Sequence, residues 1–558
     1  MAKLNFLGAA RTTTGSKHLL QWKGQTRTHR ILVDCGMFQG LKELRLKNWD
    51  EFPVNPEIID AVLLTHGHLD HVGYLPRLSQ MGFDGPIYAT AATIDLAEVI
   101  LRDSAHIQME DAKHAKKFGY SKHEDPKPLY TDKDVENVLK LFKPLDYYHS
   151  YHLIEGCTIR LFHAGHILGS SFIEVTVEED GQPIRVVFSG DVGRFDQPIL
   201  QDPEPPTGAD YFLLEGTYGN RTHSKTDPLD EISEVVNRTI ERGGSVVIPA
   251  FAVGRSQQLL YYLSELMDAG RIPPIDVFLD SPMAVRVTEM TRKHQGELDL
   301  QTLLGVRSNS IFKRPEVHLL EKREQSMMLN ERTDPCVIVS ASGMASAGRI
   351  LHHLKIRLPD EKNTVLLVGY QGVGTRGRRL VEGEKEVKIH GQMVPVNAEV
   401  VNMSSLSAHA DWTEMMPWLN RMVPPAVTFL VHGEIENLED MQTHINEELG
   451  WKTYIPVINE EVEILPLDPA TRKVAPFARG IQAIVAVGSD ISALPPGIVV
   501  DKTYTDKPSA TLAEQILKET ETDNIYLIGG NFELEEETAF CKALIEKNRK
   551  IWRISSIG

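Results

Sequence analysis

Thr65-His66-Gly67-His68-Leu69-Asp70-His71 sets three imidazoles and a carboxylate within six consecutive positions. Directly before them runs Asp60-Ala61-Val62-Leu63-Leu64-Thr65, a short apolar stretch that predicts a buried strand. The C-terminal end of such a strand is where an α/β sheet commonly holds its active site. His66 and His68 differ by two, so on an extended backbone they point the same way and can share one metal. Asp70 and His71 are adjacent and diverge, which suits a second metal beside the first. A histidine-rich surface loop is the bland alternative, but this density directly after a core strand favours metal.

The same pattern recurs along the chain. The strand Arg30–Asp34 ends on a carboxylate, and a strand over Thr158–Phe162 leads into His163-Ala164-Gly165-His166. Ile184–Phe188 runs into Ser189-Gly190-Asp191, Asp210-Tyr211-Phe212-Leu213-Leu214 ends on Glu215, and Val427–Val431 ends on His432. Ser407-Ala408-His409-Ala410-Asp411 adds another imidazole. Asp34 is either a ligand or an acceptor that orients a ligating imidazole; the second is favoured, because other ligands suffice. His106, His114 and His123 lie in a charged helical stretch without partner spacing and read as surface or packing residues.

The elements that must position these groups come in two styles. Strands at 3–8, His18–Trp22 and 30–34 open the chain, and helices are predicted over 91–117 and 131–142. From about 220 to 390 four strand–loop–helix units follow one another, starting at Val246, Asp276, Cys336 and Thr364, which predicts a separate parallel α/β layer. Its loops carry Arg255, Ser342, Gly343, Arg349, Arg376 and Arg378 close to helix starts, where free backbone N–H groups and guanidinium ions could cradle phosphate. Each arginine is as readily a helix-surface or structural residue. Gly372-Val373-Gly374-Thr375-Arg376-Gly377 fits G-x-G-x-x-G, but it ends the α/β series and sits among arginines, so polyanion contacts are preferred to a dinucleotide. Beyond 468 a further α/β region reads strand 481–487, helix 508–519, strand 524–528, helix 533–547 and strand 550–554, with no chemical constellation.

The chain's 558 residues allow several domains and a large core. Its net charge of −18, from 59 basic and 77 acidic residues, argues against a general polyanion-coating protein and leaves room only for a local basic groove. Cys35, Cys157, Cys336 and Cys541 are widely spaced, which excludes a CxxC site and fits a reducing compartment. No signal-peptide apolar region and no run of membrane-spanning length is present, so a soluble cytoplasmic protein is expected.

Taken in order, Asp34, His66-x-His68-x-Asp70-His71, His166 and Asp191 resemble the metallo-β-lactamase fold. Glu215, His409 within Ser-Ala-His-Ala-Asp, and His432 within Val-His-Gly-Glu resemble motifs A, B and C of the β-CASP nucleases. The resemblance covers roughly residues 1–466. It implies an α/β protein with a metallo-β-lactamase αββα sandwich (1–210 and 393–467), an inserted parallel α/β β-CASP domain (211–392) and a small accessory C-terminal α/β domain (468–558). It also implies two Zn²⁺ ions, one on His66, His68 and His166, the other on Asp70, His71 and His432, with Asp191 between them. Ligation by N and O alone suits Zn²⁺ without excluding Mn²⁺ or Fe.

The expected activity is hydrolysis of RNA phosphodiester bonds to 5′-phosphate and 3′-hydroxyl ends, by endonuclease or 5′→3′ exonuclease action. Asp70, Asp191, Glu215 and His409 are the catalytic candidates, with His409, held by Glu215, protonating the leaving oxygen. Histidine at motif C goes with the RNA-processing members, and the Ser-Ala-His-Ala-Asp form is similar to the cleavage-and-polyadenylation type and its prokaryotic relatives. RNA is the expected partner, and a homodimer is compatible with the sequence. A metallo-hydrolase of a small thioester or lactam would have no use for Glu215, His409 or the insertion. A non-catalytic RNA-binding scaffold would be expected to have lost ligands.

Overall fold

The computed structural model describes residues 1–467 apart from 119–124, 205, 207, 370, 373 and 404. Beyond 467 it describes four strands and one helix. Two seven-stranded sheets form the first unit. One runs Glu460–Ile464, Ala2–Phe6, His18–Lys23, Thr28–Val33, Ala61–Leu63, Ile87–Ala89, Phe142–Pro144. The other runs Thr453–Tyr454, Val427–Val431, Tyr211–Glu215, Gln182–Phe188, Ser171–Glu179, Cys157–His163, Tyr151–Ile154. Alternation in Ala2–Phe6 turns Ala2, Leu4 and Phe6 inward. These residues and Trp22 pack on Leu161, Val175, Phe188 and Phe429 of the facing sheet. Leu75, Leu96 and Leu101 on helices Leu75–Gln80 and Ala91–Phe118 cover the outside of the first sheet. Met415, Trp418 and Leu438 on helices Trp412–Leu419 and Ile435–His444 cover the second. The result is an αββα sandwich.

A six-stranded, wholly parallel sheet forms the second unit, in the order Val317–Leu319, Val277–Leu279, Val337–Ser340, Val246–Pro249, Thr364–Val368, Glu399–Met403. Its central strands Val246–Pro249, Val337–Ser340 and Thr364–Val368 are fully buried and so read as largely apolar runs. Helices Pro228–Glu241 and Arg255–Asp268 pack on one face, through Val236, Leu259 and Leu263. Helix Ile350–Arg357 packs on the other, through Ile350 and Leu354.

Strand pairing crosses both expected edges of this insertion, 211 and 392. Tyr211–Glu215 pairs in parallel with Gln182–Phe188 and Val427–Val431, inside the sandwich. Glu399–Met403 pairs with Thr364–Val368, inside the insertion. The helix expected over 131–142 stops at Leu139, after a Thr131/Asp134 capping box, because the chain then enters the edge strand Phe142–Pro144. Beyond 467, Val499–Tyr504, Gln482–Ala486, Asn524–Ile528 and Lys550–Ile554 form a parallel sheet in that order, beside helix Ala510–Glu519. The first of these strands was not expected, and the helix expected over 533–547 lies outside the described residues, as do His123 and Cys541. Cys35, Cys157 and Cys336 are buried and free. No helix among the described residues is long and apolar enough to cross a membrane.

Residues 297–299 clamp the insertion to the sandwich. Tyr147 donates to Glu297 Oε2 at 2.8 Å, and Gln201 N donates to the Glu297 carbonyl at 3.2 Å. Burial pushes the Glu297 carboxyl up to about 7, against the Tyr147 hydroxyl, which favours the ionised form. A carboxyl whose folded pKa exceeds its unfolded value of 4.5 stabilises the fold fully below that value. That contribution is lost as pH climbs from there to about 7 and then stays constant. Glu297→Gln, which mimics the neutral acid, should therefore raise the unfolding midpoint more at about pH 8 than at about pH 5. Equal shifts at both pH values in thermal melts would exclude a titrating Glu297.

Candidate metal centre and active site

The loops that follow the sandwich strands converge. His66 and His68 leave strand Ala61–Leu63, and Asp70 and His71 lie on the short helix Leu69–Val72. His166 follows Cys157–His163, Asp191 follows Gln182–Phe188, and His432 follows Val427–Val431. Two glycines permit the close approach of these loops. A Cβ on Gly36 would fall 1.5 Å from the Asp70 carbonyl oxygen, and one on Gly193 would fall 1.9 Å from that of Gly165. Asp34 and His432 both adopt positive φ, +59° and +50°, a conformation non-glycine residues rarely take outside constrained sites.

Two ligand groups share one carboxylate. His66 Nε2 and His166 Nε2 lie 3.1 and 3.2 Å from His68 Nδ1. They are 3.4 and 3.5 Å from Asp191 Oδ2. In the second group His71 Nε2 lies 3.3 Å from His432 Nε2, which is 3.5 Å from Asp70 Oδ2. Asp191 Oδ1 faces this side, 3.4 Å from both His71 Nε2 and His432 Nδ1.

The protons identify what the pockets want. His166 Nδ1 faces the Ala408 carbonyl at 3.2 Å, and His71 Nδ1 faces Asp34 Oδ2 at 2.7 Å. Both Nδ1 atoms must therefore donate, so in the neutral imidazole each Nε2 is the lone-pair nitrogen. Burial opposes charge on His71, but the Asp191 and Asp34 carboxylates hold its pKa well above the ordinary value, so a metal at its Nε2 would displace a proton. Thr65 Oγ1 donates to Asp34, so the His66 proton also belongs on Nδ1, 3.1 Å from that hydroxyl. Lone pairs thus converge from several sides on the buried Asp191, whose Oδ1 has no hydrogen-bond partner. Burial, then the neighbouring His66, pushes the His68 imidazole down to about 3, so it is in the neutral, ligand-competent form. Burial opposes charge on Asp191, yet the surrounding imidazoles, His432 foremost, hold it well below the usual carboxylate range. A divalent cation in each pocket fits this donor set.

Asp34 supports the cluster from behind. Besides His71 it accepts from Thr65 N at 2.9 Å and Ser16 Oγ at 3.1 Å. Asp34→Ala frees the His71 ring and leaves Thr65 without its acceptor, so metal affinity should fall about 10- to 100-fold. Titration with Zn²⁺ against a competing chelator measures this, and unchanged affinity would remove Asp34 from the centre.

Glu215 is fully buried at the tip of its strand. It accepts from Val192 N at 2.5 Å and Thr217 Oγ1 at 2.5 Å, and its Oε2 lies 3.1 Å from His409 Nδ1. Burial works against charge on His409, but the Glu215 carboxylate prevails and pushes its pKa up to about 10. The His409 ring lies 4.4 Å from the His166 ring, so the pair stands against the first ligand group. Nothing in the sequence marks Thr217, which also lies 3.1 Å from His432 Nδ1 and so ties Glu215 to the second group. Thr65 was missed in the same way. Only its position just before a histidine pair hinted at it.

A cavity of about 1070 Å³ opens between sandwich and insertion, lined by His68, Asp70, His166, Asp191, His409 and His432 from one side. Phe251, Arg255 and Met344 line it from the other. Of the six residues considered for phosphate, Arg255 alone reaches this wall. Its buried Nε has no partner, and burial pushes its guanidinium down to about 10. Arg194, three positions after Asp191 and unsuspected in the sequence, lines the cavity too. Arg349 is instead held by Asp280 at 2.8 Å and by the Leu320 carbonyl at 3.2 Å, deep in the insertion. Arg376 bonds the carbonyls of Lys388 and Ala345, and Arg378 pairs with Glu382 one turn on. Ser342 Oγ accepts from Ser346 N at 3.2 Å, while Gly343 lets the Phe251 ring lie within 2.9 Å of where a Cβ would stand.

An αββα sandwich with paired His/Asp pockets at its loop end defines a metallo-β-lactamase-type hydrolase. Comparison with known sequences agrees: residues 25–191 match the Metallo-beta-lactamase superfamily domain, 256–380 the Beta-Casp domain, and 393–456 the Zn-dependent metallo-hydrolase RNA specificity domain. The chain is 39% identical over 436 residues to Ribonuclease TTHA0252 of Thermus thermophilus, covering 77% of this chain and 93% of that protein. It is 33% identical to the transcription termination factor FttA of Methanosarcina mazei, over 79% of this chain and 69% of that one. An RNase J-like protein of Methanocaldococcus jannaschii is 28% identical over 78% and 94%. The chain belongs to the β-CASP family of metallo-β-lactamase-fold nucleases and is an enzyme of that hydrolytic class.

Proposed function

We propose that the protein is a ribonuclease that cleaves the P–O3′ bond of RNA and leaves 5′-phosphate and 3′-hydroxyl ends. His66, His68 and His166 would hold one Zn²⁺, and Asp70, His71 and His432 a second, with Asp191 facing both; Mn²⁺ or Fe suits the same donors. When bound, the ions supply Lewis-acid activation of the attacking water and offset charge on the phosphoryl oxygens. His409 gives its proton to the departing 3′ oxygen, and Glu215 holds that imidazole in the donating orientation. Arg255 faces the cavity as a counter-charge for a flanking phosphate.

The observation that carries this reading is the Glu215–His409 pair set against the metal pockets in one cavity. An alkoxide needs a proton to leave, whereas a thioester hydrolase has no use for the pair. The names of the relatives and histidine at position 432 support RNA over DNA. Labelled RNA incubated with and without chelator tests it. Chelator-sensitive cleavage to 5′-phosphate ends is expected, and tight binding without cleavage would point to a scaffold. Cytoplasmic RNA processing is the setting this activity fits.

Phe251 is 47% exposed at the cavity wall, an unusual position for a phenylalanine and a ready platform for a base. Phe251→Ala should raise KM for RNA about tenfold, the value of one base–aromatic stack, with kcat little changed. An unchanged KM would remove the ring from substrate binding.

A further inference from the structure

We propose that His223 is a positioning residue for the reaction: it fixes the main chain from which His409 reaches the leaving oxygen. The proposal rests on the reading of His409 as proton donor. His223 lies outside regular structure, between strand Tyr211–Glu215 and helix Pro228–Glu241. Its Nε2 lies 2.9 Å from the His409 carbonyl oxygen. A carbonyl only accepts, so Nε2 carries the ring proton and donates it there. The backbone N–H of His223 donates to Asp411 Oδ2 at 2.6 Å, two residues further along the same loop. Residue 223 therefore grips the loop at two points.

Each residue around the proton donor has its main chain held by a different element. The Ala408 carbonyl accepts from His166 Nδ1 at 3.2 Å, and Ala410 N donates to the Val192 carbonyl at 2.9 Å. Those two bonds tie the loop to the metal-binding side. The His409 carbonyl between them goes to His223. Side chains repeat the link: the Tyr218 ring meets His223 edge-on at 5.4 Å and His409 edge-on at 5.7 Å. Burial first, and Arg194 second, keep the His223 imidazole below its ordinary range, which leaves it neutral with one proton to give.

His223, Asp411 and Glu414 also lie close enough together to suggest a further cation site, but their bonds oppose it. Asp411 Oδ1 caps helix Trp412–Leu419, accepting from Thr413 N at 2.8 Å and Glu414 N at 3.0 Å, and Oδ2 is taken by His223. Glu414 is paired with the Arg194 guanidinium at 3.1 Å, and the imidazole nitrogen nearest it already bears a proton. A dication would meet a fixed cation and a donor. A hydrogen-bonded brace accounts for all three residues.

The test compares RNA with bis(p-nitrophenyl) phosphate, whose leaving group departs as a stable anion and needs no proton. His223→Ala should lower kcat on RNA about 10- to 100-fold, with KM nearly unchanged. Its loss on bis(p-nitrophenyl) phosphate should be about tenfold smaller. Binding of uncleaved RNA in excess chelator, read by fluorescence anisotropy, should stay within about twofold. His223→Gln, whose amide nitrogen can occupy the place of Nε2, should recover most of the activity, and His223→Asn, which is too short, should not. Adding His223→Ala to His409→Ala should cost no more than about twofold, because the two act as one unit. Equal losses on both substrates, weakened RNA binding, or additive losses in the double variant would each overturn the positioning role. His409→Ala alone reports separately on the donor: if it cleaves RNA at the parental rate, the donor assignment falls, and the role of His223 falls with it.

Discussion

Asp191→Asn should lower cleavage of RNA by about three orders of magnitude, roughly 4 kcal/mol of lost transition-state stabilisation. Its expected severity comes from position. Every other ligand candidate serves one pocket, whereas Asp191 turns Oδ2 to His66 and His166 and Oδ1 to His71 and His432. Asparagine preserves the volume but replaces one oxygen with an N–H donor. Whichever way the amide turns, that donor points at lone pairs on one side. Elemental analysis should accordingly show about one ion fewer per chain than in the parent. Asp70→Asn, which touches only the second pocket through His432, should cost less. A D191N protein that retains its full metal content and cleaves RNA within about tenfold of the parent would break the shared-carboxylate reading.

The candidate ligand residues were legible because histidine and aspartate at strand tips have few other uses, and the strands themselves are apolar runs. His66, His68, Asp70 and His71 could be found, and assigned to two neighbouring metals, by spacing alone; completing each set takes His166 and His432, which only the fold brings near. Thr65, Thr217 and His223 were illegible for a different reason. A threonine two residues past Glu215 is unremarkable until its hydroxyl lies 2.5 Å from that carboxylate and 3.1 Å from His432. His223 owes its role to a carbonyl 186 positions away.

The arginines show the converse. Arg349 and Arg376 start helices next to glycine and serine, as a phosphate cradle would, yet folding presents Arg349 with the buried Asp280 and Arg376 with two carbonyls. Those partners satisfy the charge or the donors inside the protein. The edges of the insertion are harder to read, because membership of a sheet is decided by which strand pairs with which. Tyr211–Glu215 and Glu399–Met403 belong to different sheets.

Removing the proposed proton donor should have an effect of similar size: His409→Ala is expected to slow single-turnover cleavage of RNA about 10²- to 10⁴-fold while metal content stays at the parental level. The two measurements together matter, because His409 packs 4.4 Å from the ligand-type His166 and a collapse of the first pocket would also abolish cleavage. Glu215→Gln separates orientation from presence. Glutamine can still accept one hydrogen bond, but the fully buried carboxylate that draws in Val192 N, Thr217 Oγ1 and His409 Nδ1 is gone. The imidazole then loses both the charge that favours its protonated form and the acceptor that fixes its ring. A loss approaching that of His409→Ala is expected, and the double variant should be little worse than either, since a donor and its orienting carboxylate act as a unit. If Glu215→Gln instead cleaved RNA normally while His409→Ala failed, the carboxylate would be a structural cap for the Val192 and Thr217 donors, and the imidazole would work without it.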